Sequence, residues 1–100
     1  MLKRDAINLA MKYANIIKPN YQPDKIVLYG SYANDNANAD SDIDIAVIYK
    51  TFNGDWLKTS TELWQIAFNV SSLIEPIILE SENDKSGFVN DILKNGIIIN

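Results

Sequence analysis

Two aspartates one residue apart, Asp42 and Asp44 in Ser41-Asp-Ile-Asp-Ile-Ala-Val47, have the types and spacing best suited to chemistry. Isoleucine and valine dominate the residues after Asp42, so Ile43 to Tyr49 is predicted to be a strand. Alternate side chains of a strand share a face, which brings both carboxylates to one side, roughly 7 Å apart. Like charges on an otherwise apolar strand repel each other and resist burial. Divalent cations explain the pair directly, because Mg²⁺ takes carboxylate oxygens at short range. A strand that begins in solvent, with both aspartates merely exposed, explains it equally well. Asp40 lies on the same side at the end of the preceding loop and adds negative field there. The chain has no histidine and no cysteine. The commonest general base is therefore missing, and any metal site must be built from oxygen.

The second chemical feature is Leu28-Tyr29-Gly30-Ser31-Tyr32. A strand that runs into Gly-Ser and then a helical turn aims backbone N–H groups beyond the strand end, where they suit a phosphate. Gly30 lets a phosphate approach the backbone, and Ser31 adds a hydroxyl while capping the turn. On its own a Gly-Ser after a strand is also a plain turn.

Together the two features are more specific. Gly30-Ser31, ten intervening residues and then Asp42-x-Asp44 at the head of an apolar strand resemble the minimal nucleotidyltransferase group of the DNA polymerase beta-like superfamily. The resemblance spans the stretch from Tyr29-Gly-Ser-Tyr-Ala to Asp40-Ser-Asp-Ile-Asp-Ile-Ala-Val. The tail from Ser86-Gly-Phe to Lys94-Asn-Gly-Ile-Ile-Ile is similar to the same group, and the chain has its size and element order. The resemblance implies that Gly30 and Ser31 hold a nucleoside triphosphate, most simply ATP. It implies two Mg²⁺ ions on Asp42, Asp44 and a third carboxylate from a later strand. The best third candidate is Glu75, in Leu73-Ile-Glu-Pro-Ile-Ile-Leu79, which would act as ligand or as base for the acceptor proton. The implied chemistry is in-line attack of an acceptor hydroxyl on the α-phosphate, with pyrophosphate leaving. The resemblance further implies a partner: such domains often work beside a HEPN-type helical protein, as antitoxin to toxin, with adenylylation of that partner as the implied modification.

One departure stands out. Members of the group commonly carry Arg-Gly after Gly-Ser-x-Ala, where this chain has Asn34-Asp35. Asn and Asp tolerate positive φ, so the turn can survive, but an arginine's charge near the phosphates is lost. That leaves a second class open: a binding module with a weak or vestigial site that neutralises a partner protein by contact.

Bulk properties narrow the field. One hundred residues make one domain, 1–100, with room for a single sheet-plus-helices core. Net charge is −4 and the nine Lys and Arg are scattered, so an extended nucleic acid, which wants a basic face, is not expected as partner. No apolar run is long enough for a membrane span. Neither a secretory signal nor cysteine is present, which gives a cytoplasmic location as the expectation. Homo- or hetero-oligomers are both compatible with this composition.

The elements that must position these residues follow from periodicity. Leu2, Ala6, Leu9, Tyr13, Ile16 and Ile17 recur at helical spacing, with Pro19 expected to end that helix. Lys25 to Tyr29 is predicted as a buried strand. Asn53-Gly54-Asp55 is a turn offering Asp55 as N-cap to a long helix from Trp56 through Leu57, Leu63, Trp64, Ala67 and Phe68. Trp56, Trp64 and Phe68 are expected in the core or facing a partner. Tyr32 and Tyr49 are expected to pack, with stacking on a base as the alternative. Leu73 to Leu79 is predicted as a strand whose Pro76 suits an edge. Ser86 to Leu93 is predicted as a short helix stopped by Gly96, before a fourth strand at Ile97-Ile98-Ile99. This order predicts an α/β fold of the nucleotidyltransferase kind, a small mixed sheet of about four strands flanked by helices.

Overall fold

A computed structural model describes all 100 residues, Met1 to Asn100. The chain begins with helix α1 (Lys3–Tyr21), whose Ala6, Ala10 and Ala14 repeat every fourth position. These small side chains let the helix lie close to the sheet, while Tyr13 and Ile17 fill the space beside them. All five are completely buried. Pro19 sits inside the last turn of α1 instead of ending it. A proline there forfeits only the bond to the Asn15 carbonyl, and Asn15 is on the solvent side. The helix stops at Gln22, which turns left-handed (φ 47°) while its N–H still reaches the Lys18 carbonyl at 3.0 Å.

Strands β1 (Lys25–Tyr29) and β2 (Ile43–Tyr49) begin and end where their apolar runs do. Helix α2 (Trp56–Val70) starts at Asp55, whose side chain accepts from the Lys58 N–H at 3.0 Å, as an N-cap should. Strand β3 (Ile74–Glu80) follows. Helix α3 (Phe88–Asn95) starts two residues later than its sequence suggests. Gly87 enters it with φ +77°, and the Asp84 carboxylate accepts from the Val89 and Asn90 N–H groups at 3.0 Å each. Strand β4 (Ile97–Ile98) closes the chain.

The sheet order is β3-β2-β1-β4, with β1 antiparallel to both β2 and β4, and β2 parallel to β3 through the α2 crossover. Pro76 therefore lies in an edge strand, where its missing N–H costs least. Side-chain alternation divides the sheet into two faces. Ile26, Leu28, Ile43, Ile45, Val47, Ile74 and Ile78 pack under α1 and α2. Val27, Ala46 and Ile48 pack under α3 through Val89 and Ile92. Helices α1 and α2 are tied by the Tyr13 hydroxyl, which donates to the Leu63 carbonyl at 2.9 Å, and by Tyr21, which donates to Glu62.

The long helix is not buried as its pattern suggests. Only Leu63 and Ala67 of α2 are fully covered, while Trp56, Leu57, Trp64 and Phe68 face outward. The core is already filled from one side of α2, and nothing in the chain packs on the other. No helix is long and apolar enough to cross a membrane.

Candidate active site

The α3 side of the sheet is covered unevenly. Helix α3 lies over the row formed by Val27, Ala46 and Ile77 and touches only Tyr29 of the next row, so that row's acidic end is left open. In that row Tyr29 pairs with Asp44, and Asp44 pairs with Glu75. Neighbouring strands lie about 4.8 Å apart, so the three side chains stand shoulder to shoulder on one face. Asp42, one step before β2, extends the row toward solvent and is exposed. Parallel register across β2 and β3 is thus what brings Glu75 to the two aspartates.

The resulting electrostatics are those of crowded carboxylates. Glu75 is pushed up to about 7, first because it shares a hydrogen bond with Asp42, then by burial, then by the charges of Asp42 and Asp44. Asp44 is raised by burial first and by the Asp42 charge second. Tyr29 is raised by burial, with Asp44 and Glu75 adding to it. A cation beside these carboxylates would relieve the same crowding of negative charge.

The donors are hard oxygens, the chemistry that Mg²⁺ takes. As the side chains stand, no three acidic groups close on a common point as a metal cage. Asp40 does not join them; it is exposed, and its N–H donates to the Asn38 side chain at 2.8 Å.

Gly30 lies against this row. Its φ is +77°, a region that side-chain-bearing residues avoid, and a Cβ there would collide with the Asp44 carboxylate. The glycine is thus required twice, by its backbone angle and by the approach of Asp44. From Ser31 to Asp35 the chain makes a hydrogen-bonded turn, with the Asn34 N–H on the Gly30 carbonyl and the Asn36 N–H on the Ser31 carbonyl, each at 3.0 Å. The N–H groups of Ser31, Tyr32 and Ala33 open that turn, in the position from which such groups hold a phosphate. Asp35 adopts φ 59°, the left-handed angle that a glycine would take there. Its carboxylate is held by Lys3 of α1 at 2.7 Å. The turn survives without Arg-Gly, and the nearby lysine is engaged by Asp35.

Sequence reasoning missed three neighbours. Tyr29 belongs to the row, as strand alternation from Val27 could have signalled, and its ring meets Phe88 of α3 edge-on at 5.9 Å. Trp56 and Trp64 of α2 wall a cleft of about 340 Å³ that opens beside Asp44 and Glu75. A smaller hollow of about 160 Å³ lies on the other side of Gly30, against Asn34 and Phe88. Tyr32 packs as expected: it is buried in the core, and its hydroxyl has no hydrogen-bond partner. Tyr49 is likewise engaged structurally, donating to the Tyr21 carbonyl at 2.7 Å.

The model of the polymerase beta nucleotidyltransferase family matches residues 11–100. The chain belongs to that family. Among solved structures, this nucleotidyltransferase domain resembles a candidate nucleotidyltransferase from Sulfolobus solfataricus, with a TM-score of 0.67 and 15% identity. The likeness covers 96% of this chain and 80% of that one, and at such identity it speaks for the fold. No curated protein matches the sequence. The expected minimal nucleotidyltransferase fold, an α/β layer structure with a four-stranded mixed sheet and three helices, is the one observed.

Proposed function

We propose that this nucleotidyltransferase domain moves a nucleoside monophosphate, AMP from ATP, onto an acceptor hydroxyl, with Asp42, Asp44 and Glu75 as its metal-holding carboxylates. The observation that carries the reading is the register of β2 and β3, which sets Glu75 opposite Asp44 and beside Asp42. Mg²⁺ ions bound there would neutralise the carboxylates and stabilise the attacking and leaving oxygens. Gly30 and Ser31 would receive the triphosphate on the free N–H groups of their turn, aiming the α-phosphate at the row. Glu75, at the edge strand, is the carboxylate best placed to take the acceptor's proton. The cleft between β3 and α2 leaves that acceptor a way in. By resemblance to the family, the acceptor would be a HEPN-type helical protein, with this chain as antitoxin.

The test is to incubate the purified domain with Mg²⁺, α-labelled ATP and the product of its neighbouring gene. Label should move to that protein, and Asp44→Asn should abolish the transfer. An intact pair that acquires no label would overturn the reading.

The replacement of Arg-Gly by Asn34-Asp35, with Lys3 already committed to Asp35, favours a second reading: a binding module that neutralises its partner by contact. The Asp42→Asn, Asp44→Asn double variant separates the two. Neutralisation retained in cells supports contact alone, and neutralisation lost supports the transferase.

A further inference from the structure

Helix α2 carries two apolar faces where a surface helix needs one. The inner face, Leu63 and Ala67, is spent on the core. The outer face runs through Leu57, Thr61, Trp64 and Phe68, at steps of four, three and four residues. That is the spacing of a coiled-coil seam, on which another helix packs knobs into holes. Leu57 is 69% exposed, Trp64 45% and Phe68 71%, with Trp56 at 54% beside them. The largest groove of the molecule, about 880 Å³, follows this face, and none of its lining residues is charged.

We propose that this seam pairs with the same seam of a second copy, the two α2 helices running antiparallel across a two-fold axis. Three observations select a second copy as the occupant. The first is size matching. About a midpoint between Glu62 and Leu63, antiparallel pairing sets Leu57 against Phe68 and Thr61 against Trp64. Every layer then combines a larger side chain with a smaller one. Parallel pairing would set Trp64 against Trp64 beside an underfilled Thr61 layer, so the seam matches itself only when reversed.

The second observation is charge. The chain carries −4 overall, and two like-charged copies repel wherever their charges meet. An uncharged contact is the surface on which such a chain can meet itself, and it lacks the acidic groups that would recruit a basic partner. The third is area. The four large side chains expose roughly 500 Å² per copy on the usual aromatic and aliphatic areas. Complete burial of these residues in both copies would remove up to about 1,000 Å², which is near the threshold for a specific interface. The seam is short, about 22 Å for a helix of this length, so the expected dimer is reversible and micromolar.

The pairing does not depend on the transferase reading. It bears on the candidate site nonetheless, because Trp56, Ser60 and Trp64 wall both the groove and the cleft beside Asp44 and Glu75. A second copy on the seam would form the outer rim of that cleft.

The chain's only two tryptophans lie on this face, so indole emission reports on the contact. In the full chain, sedimentation equilibrium should show a monomer–dimer equilibrium, and tryptophan emission should shift to the blue as concentration rises. Leu57→Lys and Phe68→Glu should each weaken the dimer about a hundredfold, with circular dichroism and melting of the monomers unchanged. Mixing these two variants should restore association. Antiparallel pairing sets the introduced lysine of one variant against the introduced glutamate of the other, and at the opposite end leaves the native Phe68 against the native Leu57. A wild-type chain that stays monomeric with unshifted emission overturns the proposal and assigns the seam to a different protein. A wild-type dimer indifferent to both substitutions, or variants whose mixture does not associate, overturns it also, since the contact would then use another surface or orientation.

Discussion

The acidic row at the end of the sheet and the outer face of α2 lie side by side, sharing a wall at Trp56 and Trp64, yet they oppose the isolated chain in different ways. The row gathers like charges: Glu75 and Asp44 both hold their protons more tightly than free carboxylates do, because Asp42 and burial disfavour the charged forms. The α2 face sets aromatic surface against water. The first conflict is relieved by something small and positive, a proton or a cation, and the second by something large and apolar. Local rules broken without compensation inside the chain mark the places where a fold is organised for something outside it.

Either side of this contrast can be broken by substitution. The largest effect is expected at the row. Asp44→Asn should reduce nucleotidyl transfer about a thousandfold, or about 4 kcal/mol of transition-state stabilisation, in the labelled-ATP assay. Its melting temperature at pH 8 without divalent ions should be unchanged or higher, since a repelling charge has been removed. A variant that loses activity because it unfolds would show that Asp44 is structural.

The two faces of α2 supply the next test. Leu63→Ala, on the inner face, should cost about 2–5 kcal/mol in denaturant unfolding through the lost burial and the cavity left behind. Phe68→Gln, on the outer face, should change the stability of the monomer by less than about 0.5 kcal/mol. Equal losses would mean that the outer face packs within the chain after all.

The smallest effect should come from pH. The folded chain holds a proton on Glu75 up to about 7, whereas the unfolded chain releases it near the ordinary carboxylate value of 4.5. Between those values the folded state binds more protons, so stability falls as pH rises through the window and levels off above it. Melting curves in chelator at intervals from pH 5 to pH 8 should show this decline, and Mg²⁺ should shrink it by taking the proton's place. A flat profile in chelator would show that the carboxylates stand further apart than their register suggests.

What is legible in the sequence is local. The bounds of β1 and β2, the Asp55 cap and the alternation placing Asp42 with Asp44 all depend on neighbouring residues, and the structure agrees with each. The left-handed turn at Asp35 is equally accessible, because Asp tolerates that angle in place of glycine. The features that escape a sequence reading depend on contacts distant in the chain. The apolar positions of α2 mark a helix but do not say which of them meet the sheet. Pro19 reads as a helix stop because its local cost is real, and the rest of α1 outweighs it by burying Ala14 and Ile17. Glu75 can be ordered along the chain, but its position opposite Asp44 is set by how the α2 crossover lays β3 beside β2. Alternation from Val27 puts Tyr29 on the right face, but its place opposite Asp44 is set by the register of the strands together.

The pairing of β4 with β1 has a kinetic side. Val27 stands against Ile98, and the Asn100 side chain accepts from the Ile26 N–H, so the first strand made is completed by residues more than seventy positions later. Contacts of such long separation close late and slow folding. During translation β1 would therefore leave the ribosome with one edge unsatisfied, and the sheet could not be completed until residues 97–100 had been made. For that interval β1 is an open edge able to pair with other chains, and a chaperone that shields nascent strands would find its substrate there.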